Sequence, residues 1–265
     1  MSLRWRPIIL IVFIIAVLSG VHFLRPIPQD PSYHLFADTR TILGIANFFD
    51  VLSNLPFLVV GVLGLAYTIP KRQKAAFGEN YERWPYIIFF IGIALTCLGS
   101  AYYHWSPNNR TLVWDRLPMA IAFMAIFAGT LNDRIGPRIG TFCLAPLLLI
   151  GILSVVKWYL GELSGAGDLR LYAVVQFNTI IAVFLLIVLF PARYSHTGWL
   201  IAGTGTYVMA KILESLDKPI FSISPVSGHT LKHLSASLTA FCILEMLRRR
   251  TAIKEGTACA KCLSS

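Results

Sequence analysis

Apolar stretches of about 20 residues recur along the whole chain, and this feature constrains the fold most. A stretch of that length crosses the hydrocarbon core as a helix, because in lipid the backbone must satisfy its own hydrogen bonds. The stretches run from Ile8 to Leu24, Ile42 to Ile69, Tyr86 to Tyr103, Leu117 to Leu131, Gly140 to Val156, Leu171 to Phe190, Trp199 to Ile212 and His229 to Leu247. The seventh is the least apolar. Hydrophobic residues make up 56% of the chain and charged ones only 14%, a balance that excludes a soluble domain. An all-α integral membrane protein with about eight spans is predicted.

Charge sets the orientation, since Arg and Lys stay on the cytoplasmic side. With eight spans, one face collects Arg4, Arg6, Lys71, Arg72, Lys74, Arg83, Arg134, Arg138, Arg193, Arg248, Arg249, Arg250, Lys254 and Lys261, while the other has fewer cations. Both termini are therefore expected in the cytoplasm. The net charge of +10 then serves anionic headgroups, not nucleic acid. The first stretch resembles a signal peptide, but HFLRP lacks a small-residue cleavage site, so a retained helix is expected. The cysteines form no disulfide framework. Cys259 and Cys262 lie in a cytoplasmic tail, whose CLSS ending resembles a weak prenylation signal but reads as plain tail.

Ionisable groups at the bilayer centre cost about 2.5 to 3.5 kcal/mol each, so each one inside a span is a functional candidate. In the second span, Asn47, Asp50 and Asn54 fall on one helical stripe with Ser53 beside it, about 14 to 18 Å of rise inside the membrane for Asp50 and Ser53. In the third, Ser100 and His104 share a face. The fourth opens with Asp115 at its mouth and Pro118 in its first turn. The eighth carries His229, His233 and Ser237 one turn apart after a Ser227 cap. An even number of crossings separates Asp115 from His229, so all these residues converge on the non-cytoplasmic half.

Two imidazoles one turn apart can hold one ion, and a third from another helix completes three nitrogen ligands with a fourth position open, the catalytic zinc arrangement. His104, His229 and His233 are the candidate ligands. Zinc lowers the pKa of its water to about 7 and polarises carbonyls, which suits amide or ester hydrolysis. Asp115 is the candidate general base and acid, and Ser100 the hydrogen-bond donor to water or oxyanion. Lys232 lies about 100° off the histidine stripe and is expected to snorkel or to pair with Glu214 or Asp217. His22, His34 and His196 are read as structural. The same architecture also admits a non-enzymatic receptor or transporter with structural zinc. Haem would need a cross-helix histidine pair, because His229 and His233 share one face.

The strings NFFDVLSNLPFLVVG, GSAYYHWSPNNRTLVWDRLPM and SGHTLKHLSASLTAF resemble the three signature regions of the alkaline ceramidase family. That family belongs to a wider seven-helix hydrolase superfamily with the adiponectin-type receptors. The resemblance spans roughly Tyr33 to Arg250, and its specificity lies in the ordered set: an SN pair, SxxxH, an aspartate after it, then HxxxH. It implies a seven-transmembrane-helix core plus one extra N-terminal helix. The chain then divides into an N-terminal helix and outer loop (1–32), the core (33–250) and a tail (251–265). It also implies zinc on His104, His229 and His233, catalysis by Ser100 and Asp115, and a ceramide-like lipid amide cleaved to fatty acid and sphingoid-type amine. No obligate protein partner is evident. Family members bind calcium through an acidic segment before the first core helix. Here that segment reads YHLFADTRTILGIAN, with Asp38 and Asn47 as the surviving oxygen ligands and Asp50 nearby, a departure that counts against calcium.

Overall fold

The computed structural model describes residues 5–70 and 75–253. Arg4, Lys71, Arg72, Lys74, Lys254, Lys261, Cys259 and Cys262 lie outside the described residues. The protein is all-α: among the described residues the extended pairings are isolated bridges, Ile42 with Ile45 and Tyr194 with Ala252. Among the described residues six helical segments are long and apolar enough to cross a membrane, which makes this a multi-pass membrane protein. The first is α1 (Trp5–Phe23). The second is α2 (Phe48–Leu52) running into α3 (Leu55–Thr68). The others are α4 (Trp84–Trp105), α5 (Asn109–Arg134), α6 (Ile139–Leu163) and the segment from α7 (Arg170–Ala173) to α8 (Thr179–Leu189), joined by a π-helical turn at Val174–Asn178. Two more long helices, α9 (Thr197–Ser215) and α11 (Gly228–Arg249), flank the short α10 (Asp217–Ile223) and carry more polar residues.

Helix starts follow local chemistry. Asn108 caps α5 in a reciprocal box with Thr111, satisfying orphan backbone donors. That cap moves the start of α5 to Asn109, well before the Leu117 expected from hydropathy. Asp115 therefore sits in the second turn instead of the mouth, and Pro118 is interior instead of first-turn. The Ser227 side chain accepts from Thr230 N at the start of α11, as its sequence implies.

The Ile42 to Ile69 stretch departs most from expectation. It is not one helix. Gly44 and Asn47 take positive φ (77° and 49°), residues Ile42 and Ile45 pair in a tight turn, and α2 begins only at Phe48. A second break at Ser53 and Asn54 precedes Pro56, whose ring disfavours helix just before it. Asp50 is thus in the first turn of α2, not buried 14 to 18 Å down a helix. The stripe of Asn47, Asp50, Ser53 and Asn54 nonetheless faces protein, and all four are buried.

Helices α4 and α5 form the central pair. Pro118 has no N–H to bond the Trp114 carbonyl four residues back, and that free carbonyl lies against Gly99 of α4. A Cβ at Gly99 would come within 1.9 Å of it. Only glycine permits this approach, which brings Ser100 beside Asp115. α9 packs along α11 and α3 along α4. α1 stands at the periphery against α8, with Leu10 alone fully buried and Ile8, Ile11, Val12, Ile15 and Leu18 outward. Such outward apolar faces suit lipid contact.

Candidate metal centre

Two helix ends converge: the C-terminal turn of α4 brings His104, and the first two turns of α11 bring His229 and His233. The ring centroids are 4.7, 4.8 and 4.9 Å apart, close to an equilateral triangle. All three rings are buried. One ligand atom from each lies within 4.8 Å of the others, a set able to hold a metal ion.

The nitrogens carry the test of fit. His104 Nε2 and His229 Nε2 are 3.3 Å apart, about the separation of two nitrogens each 2.0 to 2.1 Å from one tetrahedral ion. His233 Nδ1 lies 2.8 Å from Ser53 Oγ, and Ser53 Oγ donates to the Asp50 carbonyl at 3.2 Å. A hydroxyl has one proton to give, so Ser53 accepts from His233 Nδ1–H and leaves a lone pair on His233 Nε2. That Nε2 is buried without a partner among the described residues. The donor set fits zinc: neutral imidazoles, one of them fixed in tautomer by an outer hydrogen bond.

The surrounding contacts aim the rings. Asn47 Nδ2 donates to the His104 carbonyl at 2.7 Å. Asp50 Oδ1 accepts from Ser227 Oγ at 3.2 Å and Thr230 Oγ1 at 2.7 Å, anchoring the start of α11. Asp217 accepts from His229 N at 2.8 Å and from Ala37 N at 2.9 Å, tying the outer loop to the same helix. Gly228 is the only residue type that fits there, since a Cβ would meet the Leu213 carbonyl at 2.4 Å. The Phe36 ring packs against His104 and His229, with centroids at 4.6 and 4.8 Å.

Ser100 and Asp115 stand on the inner side of the histidines. Both are buried, they face each other across the Gly99 contact, and with His233 they open onto a cavity of about 110 Å³. Its wall is mostly apolar, with Phe57, Phe89, Ile93 and Phe123 prominent. Asp115 makes no ion pair with Arg116, which turns instead to Gln29 Oε1 at 2.7 Å.

A sequence profile of the ceramidase family matches residues 40–243, a span that holds all three signature strings. The chain belongs to the ceramidase family. No curated protein matches it. Membership marks it as a membrane enzyme of ceramide hydrolysis, and the histidine cluster is the part of this ceramidase-family fold able to take a metal.

Some sequence readings need completing. Lys232 does pair with Glu214, at 2.8 Å, but not with Asp217. Its ammonium also donates to His229 Nε2 at 3.2 Å. A metal on that nitrogen would take the lone pair and leave the ammonium to Glu214. His34, read as structural, bonds Tyr103 Oη and Asn109 Oδ1, both at 3.0 Å. The three candidate calcium ligands have separate engagements: Asn47 with His104, Asp50 with α11, and Asp38 with Arg40 at 2.5 Å. Burial raises the Asp38 carboxyl, and the Arg40 guanidinium and backbone N–H more than offset it, leaving it below its ordinary value. Phe36 and Asp217 were not legible as site residues, because their partners are distant in sequence.

Proposed function

We propose that this protein is a zinc-dependent membrane amidohydrolase that cleaves the amide of ceramide or a related lipid amide to fatty acid and sphingoid-type amine. One observation carries the reading: three buried histidines converge beside a carboxylate and a hydroxyl that open onto an apolar cavity. His104, His229 and His233 would hold the metal. Zinc held there supplies a Lewis acid that works at neutral pH.

The remaining chemistry belongs to the chain. Asp115 takes a proton from the attacking water as the C–O bond forms, and returns it to the amine nitrogen as the C–N bond breaks. The Ser100 hydroxyl donates to the oxygen that gathers negative charge at the carbonyl carbon. The apolar wall of Phe57, Phe89, Ile93 and Phe123 receives the acyl chain and keeps bulk water from the scissile bond. Substrate arrives laterally from the bilayer.

In this reading the core of seven transmembrane helices runs over 33–250, with α1 as an addition and 251–265 as a tail. α9 and α11 complete the spans, since Thr204, Lys211, Glu214, Lys232, His233 and Thr239 line the two inner cavities and not the lipid face. Both termini lie in the cytoplasm and the site faces the opposite compartment, a placement supported by Arg83, Arg134, Arg138, Arg193 and the Arg248 to Arg250 run at the other helix ends.

Elemental analysis of detergent-purified protein, coupled to fatty-acid release from N-acyl sphingoid bases, tests it. Wild type should hold about one zinc and release fatty acid, and Asp115→Asn should keep the zinc and lose turnover. Protein without zinc, or an Asp115→Asn variant as active as wild type, would sink the mechanism.

A further inference from the structure

A second cavity, of about 210 Å³, lies on the far side of Asp115. Asp115, Met119, Tyr207, Lys232 and Ala236 line both cavities, so the two meet at the site. The second wall is of a different chemical kind. It carries Arg116, Lys211 and Lys232 against two carboxylates, Glu214 and Asp115. Glu214 is already shared by both lysines.

Among the described residues Arg116 is the cation of this wall that makes no ion pair. It is 5% exposed and makes one hydrogen bond, to Gln29. Otherwise it is sandwiched by aromatic rings: Trp158 at 4.2 Å, Tyr172 at 4.8 Å and Tyr33 at 5.5 Å from the guanidinium carbon. Its Nη1 is buried with no partner among the described residues. Glu162 makes no ion pair with it and instead accepts from the Gln29 N–H at 2.8 Å and from Trp158 Nε1 at 3.1 Å. A buried guanidinium without a direct ion pair is costly. Stacked on rings in the cavity wall, it keeps an Nη1 without an acceptor, a donor that a carboxylate or phosphate would satisfy.

We propose that this cavity binds an oxyanion, carboxylate or phosphate, on the amine half of the substrate, with Arg116 as its anchor. The inference rests on the amidohydrolase reading and narrows its substrate class. With the acyl chain in the apolar cavity and the amide at Asp115, the amine half falls into the cationic cavity. The other source of the same chemistry is the carboxylate of the fatty-acid product.

The test compares N-palmitoylglycine with N-palmitoylethanolamine, which has a hydroxyl in place of the carboxylate, and with palmitate. A ceramide and ceramide phosphate pair serves for phosphate. Thermal unfolding of the full chain in detergent reads binding without turnover, and fatty-acid release reads kcat/KM. The anionic amide should raise Tm more than the neutral one and show a kcat/KM at least about tenfold higher. In Arg116→Gln that ratio should fall to about one, and Arg116→Lys should recover part of it. Equal Tm shifts and equal kcat/KM for the two amides overturn the proposal. So does palmitate stabilising as strongly as N-palmitoylglycine, which assigns the cavity to product. Cleavage of both amides without preference removes the oxyanion site and leaves the hydrolase reading standing. Arg116-dependent stabilisation by the anionic amide, with no cleavage of any lipid, keeps the site and removes the hydrolase reading. If Arg116→Gln does not fold, the wild-type comparison decides.

Discussion

The two ends of the helix bundle treat their buried aspartates differently. At the end away from the histidines, carboxylates meet cations directly. Asp133 takes Arg250 Nη1 and the Tyr86 hydroxyl, each at 2.6 Å, and Glu82 takes Arg193 at 3.2 Å and the Tyr194 hydroxyl. Arg250 also donates to the Ala76 carbonyl and lies over the Tyr194 ring. At the histidine end Glu214 does pair with Lys211 and Lys232, but among the described residues the Asp50 carboxylate is bound by hydroxyls, and Asp115 and Arg116 make no ion pair. Charge pairing at one end clamps the helices. Asp115 and Arg116, left without an ion pair at the other, stand where the proposed substrate would lie.

Substitutions at each end should separate these roles. The largest effect is expected from His233→Ala, which removes one of three nitrogens: bound zinc and fatty-acid release should both fall to background, read by elemental analysis and product assay. Retained zinc in that variant would mean that the three rings are packing, not ligands. Next comes Arg250→Met, which strands Asp133 in the interior and should cost about 3 to 5 kcal/mol, read as lowered Tm with zinc per folded molecule unchanged. Adding Asp133→Leu should recover most of the loss. If Arg250→Met instead emptied the metal site at unchanged Tm, the two ends would not be independent.

A smaller effect belongs to Ser53→Ala. It removes the acceptor for His233 Nδ1 and should weaken zinc affinity by roughly 10- to 100-fold, measured by chelator competition. Unaltered affinity would break the tautomer argument. The smallest is Arg249→Ala, whose exposed guanidinium pairs with the buried Glu245, a carboxylate that keeps Arg248 as a second partner. It should change stability by less than about 1 kcal/mol, and a larger loss would mean that surface pairing shares the clamping role.

Much of the site was legible because its residues are locally patterned. HxxxH puts two rings on one face wherever the segment is helical, and Ser100 to His104 obeys the same spacing. The Ser227 cap follows from residue type alone. The outer loop was not legible. Hydropathy extended one helix from Ile42, because it does not register that Gly44 and Asn47 leave the right-handed region or that Pro56 breaks the chain behind Asn54. The start of α5 was placed too late for a similar reason: a polar capping box begins a helix before its apolar run does.

The sequence by itself determined the membrane class, the helical content and the set of chemistry-bearing residues, since these depend on composition and on periods of three and four. Only the tertiary structure decided that His104 meets the α11 pair with nitrogens 3.3 Å apart. It alone showed that Asp50 fastens α11, and that Asp115 stands between an apolar and a cationic cavity. These facts depend on how closely helices approach. That approach is set by Gly99 meeting a carbonyl freed by Pro118 and by Gly228 meeting Leu213, contacts between segments that no local pattern relates.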